Sequence, residues 1–465
     1  MDTFDFTTAQ ALAGHVARGE VSAVQLAQRA LDRAQATQST LNAFFDIDAE
    51  GALGAARAID QSIARGEPPG PLAGVPISVK DLIAIGGRPQ SMGSRTLEGN
   101  IAAADAPAVE RIRAAGAVII GKTTTSEFGC KPVGDSPLTG ITRHPWNLDL
   151  TPGGSSAGAA ASVAAGITPF ALGTDGGGSL RIPASLCGAV GFKCTFGRVP
   201  VWPTSATPTL AHVGALARTV GDAALLSTVI AGRDARDAFS QSAPPPDLMG
   251  ALSRGVRGLR IAYSPTLGYA APQAQVVRTV ERALAAFEAA GAIVDTVPTV
   301  FEHDPADLWM AEFYAGVGTR LRQDLEQRRE RLDPVVADLL DAAMGQSMRD
   351  YYEKVFQRYA LRETMRRFHE RYDLLVTPTL PVTQMDAGQI VPTGYESRNA
   401  LSWVYYTYPF NLTGQPALSL CAGLGDDAMP VGMQIVGPLW GEEHVVAAAA
   451  VIEQRVTTDW RRSVV

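Results

Sequence analysis

An α/β protein is the fold class that this sequence predicts, and three observations carry the prediction. Residues 75–79, 106–115 and 118–120 read as strand, helix and strand joined by short loops. Residues 259–263, 276–290 and 292–295 repeat that order. The composition, 46% hydrophobic with 19% charged residues, is that of a well-packed globular chain. At 465 residues the length alone would suggest about three domains, although large α/β chains can run as one unit.

Taken in order, Thr7 or Thr8 caps a first helix that ends near Gly19. Ser22 and Gln25 form a capping box for a second, reaching about Thr37. A third covers residues 49–65 and stops at Gly66, before the loop Pro68-Pro69-Gly70-Pro71. The strand at 75–79 delivers Lys80 at its end. The helix at 106–115 carries Pro107 in its first turn and is ended by Gly116. The small-residue run 159–165 can be a tight helix up to Gly166. A proline-rich loop after Arg198 carries Trp202. Residues 304–371 turn long, helical and charged, with aromatics at intervals, as a cap over a site or a face joining two copies in a homodimer would. The arginines between 320 and 331 alternate with Asp324, Glu326 and Glu330, the pattern of a solvated helix face. Residues 374–378, 417–420 and 431–436 read as strands and 442–453 as a closing helix. There is no internal repeat.

Charge and cysteine usage exclude several function classes. Forty basic against 47 acidic side chains give a net charge of −7, and no Lys/Arg block forms a basic face for nucleic acid. Cys130, Cys187, Cys194 and Cys421 lack Cys-x-x-Cys spacing, so neither a disulfide framework nor a zinc cluster is expected, and no metal or cofactor site is recognised. The start, Met1-Asp-Thr-Phe-Asp, has no basic flank or apolar run, and the most apolar stretch, 157–172, is short for a membrane span. A cytoplasmic protein without membrane attachment is the expectation.

The chemistry concentrates in two glycine-rich turns, Thr151-Pro-Gly-Gly-Ser-Ser-Ala-Gly158 and Gly173-Thr-Asp-Gly-Gly-Gly-Ser-Leu-Arg-Ile-Pro-Ala184. Glycines beside a serine let backbone N–H groups converge on a developing oxyanion. Gly154-Ser-Ser156-Ala-Gly158 satisfies the Gly-x-Ser-x-Gly elbow of α/β-hydrolase esterases, with Ser156 as nucleophile. That motif needs an apolar strand before it, and His144-Pro-Trp-Asn-Leu-Asp-Leu-Thr-Pro152 is broken by two prolines. Ser179, behind Gly176, Gly177 and Gly178, is the stronger candidate. None of the six histidines sits in a triad context, whereas a neutral lysine can act as base. Lys80 at the end of a buried strand would have its pKa lowered by desolvation; in isolation, pairing with Asp81 or reaching for solvent would be the ordinary reading.

Leu72-Ala-Gly-Val-Pro-Ile-Ser-Val-Lys80-Asp, Pro152-Gly-Gly-Ser155-Ser-Ala-Gly, the turn ending at Ser179-Leu-Arg-Ile-Pro-Ala, and Asn411-Leu-Thr-Gly-Gln-Pro-Ala-Leu-Ser together resemble the amidase signature family. The likeness spans nearly the whole chain. It implies a large mixed β-sheet wrapped by helices in one domain, 1–465. Within it, residues 1–70 would form a helical wrap, 71–230 the catalytic core and 300–372 a cap or interface. It also implies a Ser–cisSer–Lys triad with Ser179 as nucleophile, Ser155 as bridging serine after a cis peptide, and Lys80 as base. N–H groups of Gly176, Gly177, Gly178 and Ser179 would hold the oxyanion of an acyl-enzyme mechanism. Asp175 and Arg181 read as scaffold.

Two positions depart from the family pattern. Gly176 stands where Thr or Ile is common, which would leave the loop looser, and Ala157 where Gly is common. The family includes the glutaminase component of glutamyl-tRNA amidotransferase, its A-type chain, in which an Asp before the Asn-Leu motif and an Arg in the helical region bind glutamine. Here residues 403–410 hold no carboxylate and 333–345 no arginine. The expectation is therefore an amidase for a small to medium apolar or aromatic carboxamide, with Cys130, Trp202, Tyr314 and Trp403 as pocket-wall candidates.

Overall fold

The structure, a computed structural model, describes residues 6–397, 401 and 403–456. The first five residues, on which the expectation of no leader rests, lie outside them.

Thirteen strands follow in chain order: β1 (Phe44–Ile47), β2 (Pro76–Lys80), β3 (Val118–Thr123), β4 (Asp135–Ser136), β5 (Gly140–Ile141), β6 (Phe170–Thr174), β7 (Val190–Lys193), β8 (Val213–Ala217), β9 (Arg260–Tyr263), β10 (Ile293–Thr296), β11 (Leu374–Pro378), β12 (Ala417–Leu424) and β13 (Pro430–Val436). β4 and β5 make a separate hairpin; the other eleven form one sheet in the order β1-β3-β2-β6-β8-β7-β12-β13-β11-β9-β10. The sheet is mixed. β3, β2 and β6 run parallel, as do β11, β9 and β10, while β6 through β8, β7, β12 and β13 to β11 alternate antiparallel.

Helices cover both faces, and the sheet's middle is dry. Every residue of β2, β3, β7, β8 and β13 is buried, Lys80, Lys122, Lys193 and Gln434 included, so these strands show no alternation of apolar and polar residues. That is why β6, β7 and β8 escape the sequence reading: Phe-Ala-Leu-Gly-Thr, Val-Gly-Phe-Lys and Val-Gly-Ala-Leu-Ala carry no period and few β-branched residues. The helix Val220–Ile230, capped by Thr219, follows β8 and was equally silent. The stretch 1–70 is not only helical, because β1 pairs antiparallel with β3 at the sheet edge.

Local signals placed the outer elements well. Thr8 caps Ala9–Ala17, and Ser22 with Gln25 makes both bonds of the capping box on Ala23–Leu41. The small-residue helix Ala157–Ala164 is buried on all sides between β2, β6, β8 and the helix Arg181–Cys187. A Cβ at Gly158 would lie 2.1 Å from the Ala43 carbonyl oxygen, so only glycine admits this approach. Residues 304–371 resolve into the helices Ala306–Arg320, Arg322–Gln327, Pro334–Met344 and Met348–Phe368. The first of these packs with Leu401 and residues 403–412 in a second apolar cluster rich in Trp and Tyr. Among the described residues no helix is long and apolar enough to cross a membrane.

Candidate active site

The C-terminal end of β2, the turn before the helix Ala157–Ala164, and the loop after β6 meet at one point. Lys80 closes β2 and is fully buried. Its Nζ lies 2.8 Å from Ser155 Oγ, 3.0 Å from Ser156 Oγ and 2.8 Å from Thr174 Oγ1. Ser155 Oγ lies 3.0 Å from Ser179 Oγ, and the Gly154–Ser155 peptide is cis. Lys80 does not pair with Asp81, because the buried Lys122 ammonium holds that carboxylate at 2.7 Å. Burial holds the Lys80 pKa well below the ordinary lysine value, with the Asp175 carboxylate pulling the other way.

Three oxygens around one nitrogen have a chemical consequence. A neutral amine offers two N–H donors and one lone pair. Ser156 Oγ donates to the Thr174 carbonyl at 3.1 Å, so it has lone pairs left to accept from Lys80. Three hydroxyl oxygens outnumber the two hydrogens of a neutral amine, so one of the three hydroxyls can donate to the Lys80 lone pair instead. Ser155 and Ser179 line a cavity of about 470 Å³, whereas Ser156 is buried behind it and its preceding segment forms no strand. The elbow geometry is absent. His212, on the cavity wall, stands 2.8 Å from the Leu210 carbonyl through Nδ1 and faces Lys193 through Nε2.

Asp175 and Arg181 are the buried scaffold under the loop that carries Ser179. Arg181 donates to Asp175 through Nε and Nη2 at 2.9 and 2.8 Å, to Asn411 Oδ1 at 2.7 Å, and to Gln434 Oε1 and the Thr407 carbonyl. Burial would raise the Asp175 pKa, but the guanidinium charge outweighs it and holds the group as carboxylate. Asp175 Oδ1 also accepts the Gly178 N–H at 2.8 Å. This corrects one expectation: the Gly178 donor is spent on the scaffold and is withdrawn from an oxyanion hole. The N–H groups of Gly176, Gly177 and Ser179 have no acceptor among the described residues.

The loop that carries Ser179 is not loose either. Trp309 Nε1 donates to the Gly176 carbonyl at 2.7 Å and Thr407 Oγ1 to the Gly177 carbonyl at 2.6 Å. A Cβ at Gly176 would lie 2.8 Å from Phe313 Cε2. A phenyl ring thus occupies the space that a side chain at position 176 would need.

This chain matches the Amidase family over residues 25–446. The chain belongs to that family. As an amidase it is a hydrolase of carbon–nitrogen amide bonds. It is 37% identical to the A-type chain of glutamyl-tRNA(Gln) amidotransferase from Acidothermus cellulolyticus, across 96% of this chain and 94% of the relative. It is 34% identical to an acylamidase of Rhodococcus erythropolis, again across 96% and 94%. A solved bacterial aryl acylamidase of the amidase signature family superposes with a TM-score of 0.91 at 30% identity, covering 97% of each chain.

Of the wall candidates in this amidase, Cys130 and Trp202 do line the cavity. Tyr314 and Trp403 do not. Tyr314 stands behind the wall and donates to the Cys130 carbonyl at 3.1 Å; Trp403 is in the core, its Nε1 on the Ile390 carbonyl at 2.9 Å. The aromatics that face the cavity without having been wall candidates are Phe128 and two from the helical stretch read as a cap or interface, Trp309 and Phe313, joined by the apolar Met92, Val317 and Leu321. Trp309, Phe313 and Val317 recur every fourth residue on the helix Ala306–Arg320, a period that marks a face without saying what the face covers. Two further buried lysines serve structure. Lys131 pairs with Asp135 and Asp333 at 2.6 Å each, and Lys193 donates to the Gln415 carbonyl, its pKa pushed down to about 7 by burial and the nearby Arg181 charge.

Proposed function

We propose that this amidase hydrolyses small to medium apolar or aromatic carboxamides through an acyl-enzyme on Ser179. The observation that carries the reading is the unbroken chain Lys80 Nζ–Ser155 Oγ–Ser179 Oγ opening on an aromatic-walled cavity. Neutral Lys80 accepts the Ser155 proton while Ser155 accepts that of Ser179, whose Oγ attacks the amide carbon. The N–H groups of Gly176, Gly177 and Ser179 stabilise the oxyanion. Ser155 then protonates the departing amine, and water cleaves the ester by the reverse relay. A cytoplasmic location and a small-molecule substrate without nucleic acid or membrane partners go with this reading, which uses no metal or cofactor.

Ser179→Ala should lower turnover of an anilide panel by at least about 10³-fold with the fold intact, and a fluorophosphonate should label Ser179 on peptide mapping. Retained turnover, or label on Ser156, would sink the assignment.

The amidotransferase reading has the 37% identity behind it. Against it stand the missing carboxylate before Asn411 and the apolar wall. The purified single chain separates the two: anilide turnover well above glutamine turnover favours the stand-alone amidase, and the reverse order favours the amidotransferase component.

A further inference from the structure

Trp309 and Phe313 are stacked with ring centroids 4.3 Å apart and planes 17° apart, both nearly buried, on the helix over the nucleophile loop. They meet the loop at Gly176 and Gly177, the first two of its three glycines. The indole N–H holds the Gly176 carbonyl, a Cβ at Gly177 would lie 2.6 Å from Trp309 Cζ2, and a Cβ at Gly176 would run into Phe313. The peptide joining Gly176 to Gly177 is trans, so its C=O and N–H point in opposite directions. Pinning the Gly176 carbonyl on the indole therefore sets the direction of the Gly177 N–H. That donor has no acceptor among the described residues and belongs to a residue on the cavity wall.

We propose that Trp309 is a positioning residue for catalysis: by holding the Gly176 carbonyl it aims the Gly177 N–H at the oxyanion, and Phe313, stacked on the indole and filling the space beside Gly176, keeps it there. This rests on Ser179 being the nucleophile. The glycine pair and the aromatic pair then form one unit, in which small residues on the loop and large ones on the helix exchange volume. Thr407 holds the next carbonyl, and Asp175 takes the next N–H. The Gly176–Gly177 peptide is thus held by Trp309 and the Gly177–Gly178 peptide by Thr407 and Asp175, while the N–H groups of Gly176, Gly177 and Ser179 are left open.

The test is Trp309→Phe, which keeps a ring in place and deletes the N–H. Anilide kcat should fall by about 10²-fold, the order for a misaimed oxyanion donor, with KM within about threefold. Inhibition by a trifluoromethyl ketone, which becomes a tetrahedral oxyanion when a serine adds to it, should weaken by the same factor. Binding of the neutral primary alcohol that corresponds to the acyl half, which carries no oxyanion, should not change. Equal weakening of both ligands, or unchanged kcat, would overturn the positioning role. If Trp309→Phe does not fold, Gly176→Ala and Phe313→Ala give the answer. Gly176→Ala alone should lower kcat, and adding Phe313→Ala should restore a large part of it, whereas strictly additive losses would refute the interlock. Fluorophosphonate labelling of the wild-type chain keeps the two readings apart. Failure to label Ser179 removes the nucleophile, while labelling with unmoved Trp309→Phe kinetics removes only the role given to Trp309.

Discussion

A buried amine is useful as a base only while it is neutral, and Lys80 is kept so by the absence of water rather than by a cationic neighbour. On the proposed mechanism acidification should therefore silence the protein, kcat/KM falling as pH drops through the lowered Lys80 pKa. Lys80→Met should remove that limb together with at least about 10³-fold of the rate, as read from pH profiles. Lys193 reports on stability instead. Its folded pKa of about 7 lies below the 10.5 of an ordinary lysine. Between those values the unfolded chain holds a proton that the folded chain has released. The contribution of this group is smallest at and below pH 7 and grows as pH rises towards 10.5. Thermal midpoints of wild type and Lys193→Met, compared from about pH 7 to about pH 9.5, should diverge in favour of wild type as pH rises; a constant difference would contradict the assignment. Lys80, Ser155 and Ser179 were legible because each sits in a long motif. The Ser156 and Thr174 oxygens that aim the lysine were not, since a hydroxyl's partner depends on how strands stack.

At the level of elements, caps and breakers were readable and buried strands were not. Ser22, Gly116 and Pro107 act through neighbours in sequence, so their signals survive without knowledge of the fold. β6, β7 and β8 are short and covered on both faces, so alternation never appears in their sequences. The wall expectations divided for the same reason: Trp202 on a loop was placed rightly, while Tyr314 and Trp403 went to the core and Trp309 took the wall. Asp333 joins elements directly. It caps Pro334–Met344 through Val335 and Val336, accepts Lys131, and donates its own N–H to the buried Glu127 carboxyl at 2.7 Å. Asp333→Ala should cost about 2 kcal/mol for the cap, with the weakened Lys131 pairing adding to it, measured by denaturant unfolding. A loss under about 0.5 kcal/mol would mean that the helix is held by packing alone.

Across the whole molecule, the sheet draws strands from residue 44 to residue 436 and its order ignores chain order. We propose that 1–465 is one domain on this basis. β7 pairs with β12, so residues 71–230 expressed alone would bare the edge of their last strand pair along with the apolar cluster it covers. That fragment should be insoluble or lack native circular dichroism, and a stable, active fragment would refute the single unit. The burial of lysines has a practical corollary. Five lysines occur in the sequence, and Lys80, Lys122, Lys131 and Lys193 are sealed inside, which leaves Lys354 on the helix Met348–Phe368. The positive surface is otherwise arginine. Amine-directed coupling, by succinimidyl esters or an aldehyde resin, will therefore tether the folded protein by that helix or by its α-amino group. Molecules grafted through the helix should share one orientation and keep the buried Lys80 amine untouched.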